Sequence, residues 1–234
     1  MKTAAILTRV HKWIGLLVGL QLLLWTTGGV VMSVFKIESV RSEAMIAKPL
    51  PLSADLAIST YPMRVAKAAG LDNFEALSLE NFAGEPVWRI KSEEKTVLVS
   101  AISGRSMLPL TEEDTRKLAL ADYAGTGEIK QITRVETGPI EVRGRKDLYR
   151  INFSKPRNYT LWVDRNEGRI IAHRSTLWRV YDFFWMLHIM DYDDRKDFNN
   201  PLLIFFAFSA FLFVGTGIGL LVHRFLLRPR RRRR

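Results

Sequence analysis

Two uninterrupted apolar blocks enclose a segment in which hydrophobic and polar positions alternate. No residue from Trp13 to Phe35 is charged, and none is from Pro201 to Val222, which gives spans of 23 and 22 residues. At a rise of ~1.5 Å per residue each span reaches roughly 33–35 Å, enough to cross a hydrocarbon core of ~30 Å. A buried helix of a soluble protein would carry a polar stripe, whereas these blocks contain only Gln21, Thr26, Thr27, Ser33, Ser209 and Thr216 as polar side chains. Two transmembrane helices are therefore predicted. Lys2, Arg9 and Lys12 precede the first block as they would in a secretory signal. The apolar stretch is too long for one, and no small-x-small cleavage site follows, so an uncleaved anchor is expected.

Between the blocks the pattern changes to strand-like alternation, after a Pro-containing linker over residues 36–55 that includes Pro49 and Pro51. The segment Thr96 to Arg105 matches Thr160 to Arg169 at a constant offset of 64, each a strand running into a turn. Gly104 and Gly168 sit where such turns demand positive φ. Upstream, the same order of elements recurs. A helix is predicted from Pro62 to a stop at Gly70, followed by strands at Phe74–Leu79 and Val87–Ile90. In the second copy Thr111 and Asp114 resemble a capping box, opening a helix through Tyr123 that ends near Gly125. Strands at Ile129–Val135, Leu148–Phe153 and Tyr159–Val163 follow. The expected domains are repeat 1 over residues 56–109, repeat 2 over 110–174 and an aromatic interfacial segment over 175–200.

The formal charge of +11 changes meaning once it is located. Ten of those charges lie in residues 1–12 and 223–234, which hold Lys2, Arg9, Lys12, Arg224, Arg228 and Arg230 to Arg234 and no acid. Basic flanks of this kind orient spans with both ends in the cytoplasm. The terminal arginine run suits anionic lipid headgroups; no aromatic or Gly-rich pattern accompanies it, so nucleic acid is not an expected partner. With no cysteine, the chain has no disulfide, thiolate metal site or covalent haem attachment.

Four segments carry a family resemblance: RVHKWIGLLVGLQLLLWTTGG (9–29), YTLWVDRNEGRIIAHR (159–174), WMLHIMDYDDR (185–195) and FVGTGIGLLVHRF (213–225). The repeat with its VDxxxGRI ending resembles the PepSY domain, and the whole layout resembles the PepSY-associated transmembrane family. The resemblance implies an α+β membrane protein: a two-helix transmembrane hairpin carrying an extracytoplasmic domain of two PepSY-like repeats, in the bacterial inner membrane with its domain in the periplasm. Members with more spans are similar to haem-containing membrane reductases, including those acting on ferric siderophores. This chain has two spans rather than four, which argues against independent reductase activity.

The histidines are His11, His173, His188 and His223. His11-x-x-x-Gly15-x-x-x-Gly19 on the first span mirrors Gly215-x-x-x-Gly219-x-x-x-His223 on the second, and a spacing of four puts each set on one helix face. Imidazole is a regular axial ligand of haem iron, and glycines one and two turns away remove bulk from the macrocycle's space. The competing reading is small-residue helix packing with interfacial histidines. His188 follows an aromatic-rich stretch beginning at Trp178. It is a candidate for a second haem, which would require a homodimer, or for an outer metal with Asp191, Asp193 and Asp194; a structural role is the alternative. Gly28 and Gly29 are left free for contact between chains. His173 is expected at the surface.

No nucleotide loop, dinucleotide fingerprint, nucleophile elbow or zinc-protease helix occurs. Two functions remain from the sequence. One is a haem-b electron-transfer protein, with His11 and His223 as ligands, that takes electrons from quinol or another protein and passes them to an outer acceptor such as a ferric chelate. The other is a cofactor-free anchored module that binds or regulates an envelope protein or membrane complex.

Overall fold

The computed structural model describes residues 2–53 and 55–227. The arginine run from Arg228 onward lies outside the described residues. The chain divides into two compact units, Met1–Lys36 with Val180–Arg234, and Ile37–Arg179.

The first unit is built on helices α1 (Lys2–Val34) and α6 (Pro201–Val222), both long and apolar enough to cross a membrane. α1 begins well before Trp13 because Ala5, Leu7, Arg9 and Lys12 are good helix formers and no Gly or Pro precedes Trp13 to stop a helix. Asn200 caps α6, its side-chain oxygen accepting the Leu203 amide at 2.9 Å, and Pro201 fills the first turn where no amide hydrogen is needed. α6 continues as a π-helical turn over His223–Leu227.

The second unit contains two antiparallel meanders. The supposed linker is structured in its first half: helix α2 (Ile37–Val40) and a 3₁₀ turn (Glu43–Met45) lead to a bridge between Ile46 and Tyr123. Burial of Val40 and packing of Met45 against the core explain this, since apolar side chains inside a Pro-flanked stretch found a surface to cover. Helix α3 (Pro62–Ala68) precedes β1 (Ala76–Phe82), β2 (Glu85–Lys91) and β3 (Thr96–Ser100), paired in the order β1-β2-β3. Helix α4 (Glu112–Asp122) precedes β4 (Ile129–Thr137), β5 (Lys146–Phe153), β6 (Thr160–Asp164) and β7 (Arg169–Arg174), in the order β4-β5-β6-β7. Helix then meander therefore recurs, as the offset of 64 predicts.

Local chemistry agrees with the elements. Gly70, Gly104 and Gly168 have φ of +67°, +73° and +63°. Thr111 accepts the Asp114 amide at 3.1 Å, but the Asp114 carboxylate takes the Thr111 hydroxyl and the Arg105 guanidinium instead of reaching back to the cap amide. β1 runs past Leu79 to Phe82 because Ala83 and Gly84 make the tight hairpin with Asn81, whose side chain accepts the Gly84 amide at 2.7 Å.

One core joins both meanders. Phe82, Val87, Leu98 and Leu110 pack with Tyr149, Ile151, Phe153, Leu161 and Val163, and α4 contributes Ala119. Arg89, only 5% exposed, pins the two together: it pairs with Glu80 at 2.7 Å and donates to the carbonyls of Glu167 and Gly168.

Candidate functional site

His11 lies against α6. Its ring stacks on Phe213 with centroids 4.2 Å apart and planes 9° from parallel. Nδ1 is 3.1 Å from the Phe213 carbonyl oxygen, which only accepts, so this nitrogen is assigned the proton and Nε2 the lone pair. Thr216 Oγ1 sits 3.0 Å from the same nitrogen. A Cβ on Gly217 would come within 3.1 Å of the His11 ring, so it is Gly217, outside both predicted glycine sets, that makes room for this imidazole.

The two predicted glycine sets behave unequally. A Cβ on Gly15 would meet the Phe213 ring at 2.7 Å, and one on Gly219 would meet Leu7 at 3.7 Å, so both belong to the α1–α6 packing. Gly19 and Gly215 have open space where a Cβ would be. Because Gly217 lies beside His11 and Gly219 beside Leu7, the helices run antiparallel with His11 level with Thr216 and Gly217. His223 is six residues beyond Gly217, roughly 9 Å further along the axis at ~1.5 Å per residue. The hairpin thus brings His11 to Phe213 and Thr216, and does not bring it face to face with His223. At Gly15 the two helices touch, with the Phe213 ring filling the space that a side chain there would occupy.

His188 is near the end of α5 (Thr176–Ile189), which closes the aromatic segment as a helix. The last carbonyls of a helix lack intrahelical donors. Here Gln21 Nε2 reaches the Leu187 carbonyl at 3.4 Å, Trp25 Nε1 the His188 carbonyl at 2.9 Å and Asn200 Nδ2 the Ile189 carbonyl at 2.8 Å. The His188 ring lies 6.0 Å from that of Trp25, and its Nδ1 is buried without a hydrogen-bond partner among the described residues. Asp191 does not turn toward it: its carboxylate accepts the amides of Asp193, Asp194, Lys196 and Asp197, which hold its pKa far below the usual range, while Asp193 and Asp194 are exposed. Among the described residues no group of three His, Asp or Glu side chains converges as a metal site. Gly28, expected to be free, is buried with the Phe184 carbonyl 3.5 Å from where its Cβ would stand, because that closeness lets α5 approach α1; Gly29 is open.

His173 departs from expectation. It lies in β7, 15% exposed, with Nδ1 2.9 Å from the Tyr159 hydroxyl and Nε2 3.5 Å from Asp122 Oδ2, an atom with no hydrogen-bond partner among the described residues. Burial pushes the Asp122 carboxyl up to about 6 and the His173 imidazole down to about 4. The alternation carried the signal: His173 is paired opposite Leu161, an inward residue, and so faces the same side.

No family model, curated protein or solved structure matches the chain.

Proposed function

We propose that this chain is a two-span protein of the bacterial cytoplasmic membrane that displays a PepSY-like two-repeat domain on the outer side as a binding module for an envelope protein or a neighbouring membrane complex. The carrying observation is the hairpin's surface. Leu16, Leu20, Leu23, Phe208 and Phe211 are each more than 60% exposed and lie in the uncharged stretches 13–35 and 201–222, and such a surface demands lipid or another apolar partner. The basic flanks support both termini inside. The two-sheet unit has a core of its own and supplies the folded surface that binding requires. Reporter fusions test this: alkaline phosphatase inserted near Lys95 is expected to be active, and a cytoplasmic reporter fused at the C-terminus likewise. The reverse pattern at either position overturns the reading.

One observation favours a second reading. His11 donates Nδ1–H to a backbone carbonyl, the arrangement that orients a ligating imidazole and leaves Nε2 for a metal. Since His11 and His223 stand at different depths, a haem b would need two copies of the chain, whose two-fold axis carries each His11 to the same depth as its equivalent. The resemblance to haem-containing reductases supports the same reading. Purified protein grown with ample haem would then show a low-spin b-type spectrum that is lost in His11→Ala and kept in His223→Ala. Folded wild-type protein without Soret absorbance eliminates it and leaves the module reading intact.

A further inference from the structure

The second meander has a polar cavity that neither reading uses. Its volume is about 520 Å3, and its walls include Lys130, Arg150, Asn152, Arg157, Trp162 and Arg179. The sheet face that holds it is the one opposite the common core. Leu148 and Trp162 cover one end of that face with the 3₁₀ turn at Ile140–Val142, whereas toward the other end Arg150 and Asn152 continue the row and line the cavity together with Arg179 of α5.

Charge in this cavity is unbalanced. Glu141 is its acid, and it is already engaged: it accepts Trp162 Nε1 at 2.8 Å and Arg179 Nε at 2.9 Å. Arg179 is thereby neutralised. Lys130, Arg150 and Arg157 have no acid partner among the described residues. Arg150 is the telling member, because its neighbours across the sheet are Thr133 and Trp162, and its Nε is buried with no hydrogen-bond partner among the described residues. Thr133 Oγ1, directly opposite, is buried and unpartnered as well. A half-buried guanidinium without a counter-charge is costly, and a bound oxyanion relieves that cost by engaging its planar fork. The Asn152 oxygen accepts the Thr160 hydroxyl at 3.1 Å, which leaves its amide group to donate.

We propose that this cavity binds a phosphate-type oxyanion, with Arg150 as the principal ligand and Lys130 and Arg157 supplying the remaining charge. Three uncompensated cations and a neutral amide donor suit a group of more than one negative charge with several acceptor oxygens, and the cavity volume exceeds one phosphate, so the phosphate belongs to a larger molecule. Binding here rests on the geometry of the two-sheet unit and does not depend on membrane insertion.

The test uses the full chain in neutral detergent. Thermal midpoints are compared in sodium phosphate and in sodium chloride of equal ionic strength, and in micelles doped with phosphatidylglycerol or with phosphatidylcholine. Wild-type protein is expected to gain stability from inorganic phosphate if the natural ligand is soluble, or from phosphatidylglycerol if it is a lipid headgroup. Arg150→Gln is expected to weaken the apparent affinity roughly tenfold or more, as loss of a charge-assisted contact does. Lys67→Gln, an exposed change on α3, is expected to leave it unaltered. Should Arg150→Gln fail to fold, the surface double variant Lys130→Gln/Arg157→Gln carries the same expectation. Overturning results are the lack of any stabilisation specific to phosphate or phosphatidylglycerol in wild type, or an equal response in the variants.

Discussion

The two meanders share an order of elements and differ in what covers their outer faces. The first is sealed on both sides: Val87 and Leu98 enter the common core, while Ile90 and Val99 on the opposite face pack under α3 against Val65, Ala66 and Leu71. In the second, Tyr149, Ile151 and Leu161 enter the same common core, but the opposite face has a smaller apolar cluster of Val142, Leu148, Trp162 and Ala172, flanked by Val135 and Ile171, and then turns polar. One repeat has become a packing platform; the other retains a solvent-facing surface with chemistry on it. The turn after the third strand shows the same divergence. After Gly104 the chain makes a single bridge, Val99 with Ser106, where the second copy forms all of β7.

The largest effect is expected where the two meanders are fastened. Arg89→Met removes the donor to Glu80 and to the Glu167 and Gly168 carbonyls, and loss of a buried, hydrogen-bonded charge partner should cost about 3 kcal/mol or more. Urea unfolding of the two-sheet unit, followed by tryptophan fluorescence, measures it. An unchanged midpoint would mean that the repeats are not coupled through this residue.

The equivalent turn glycines sharpen the comparison. A Cβ at Gly168 would lie 2.9 Å from Leu98 and 3.0 Å from Leu108, whereas at Gly104 its nearest neighbour is Thr60 Oγ1 at 3.5 Å. Both carry the positive-φ penalty, but only Gly168 adds a steric one. Gly168→Ala is expected to cost about 2–3 kcal/mol and Gly104→Ala about 1 kcal/mol. Equal losses in the same unfolding assay would show that backbone strain alone governs both turns.

The smallest effect concerns the buried titratable pair of the second repeat. Burial raises the Asp122 carboxyl from 3.8 to about 6, so its contribution to stability is fully present below pH 4 and is lost as pH rises through 6. His173, lowered to about 4, acts oppositely: its contribution is present above pH 6.5 and is lost as pH falls toward 4. Asp122→Asn isolates the first term. With the partial exposure of the site taken into account, it should stabilise by about 1 kcal/mol at pH 8 and by nothing at pH 4. A pH-independent difference between variant and wild type would remove the titration of Asp122 as its cause.

Patterns with a fixed local period were legible in the chain. The uncharged blocks gave α1 and α6; Pro62, Gly70, Thr111 and the glycines at 104 and 168 marked helix ends and turns, since each follows from backbone sterics or an adjacent amide. Offsets between like segments gave the repeated helix and meander. Tertiary packing alone decided the rest. Helix periodicity puts His11 and His223 on glycine-bearing faces but cannot fix the stagger of two helices, which depends on Phe213 seating against Gly15 and His11 against Gly217. It buried Gly28 under the α5 backbone and His173 beside Asp122, partners distant in the chain whose approach no local rule encodes. It also left Arg150 without a counter-charge among the described residues, because whether a cation is paired depends on which acids the fold delivers to its side of the sheet, and Glu141 is delivered to Arg179.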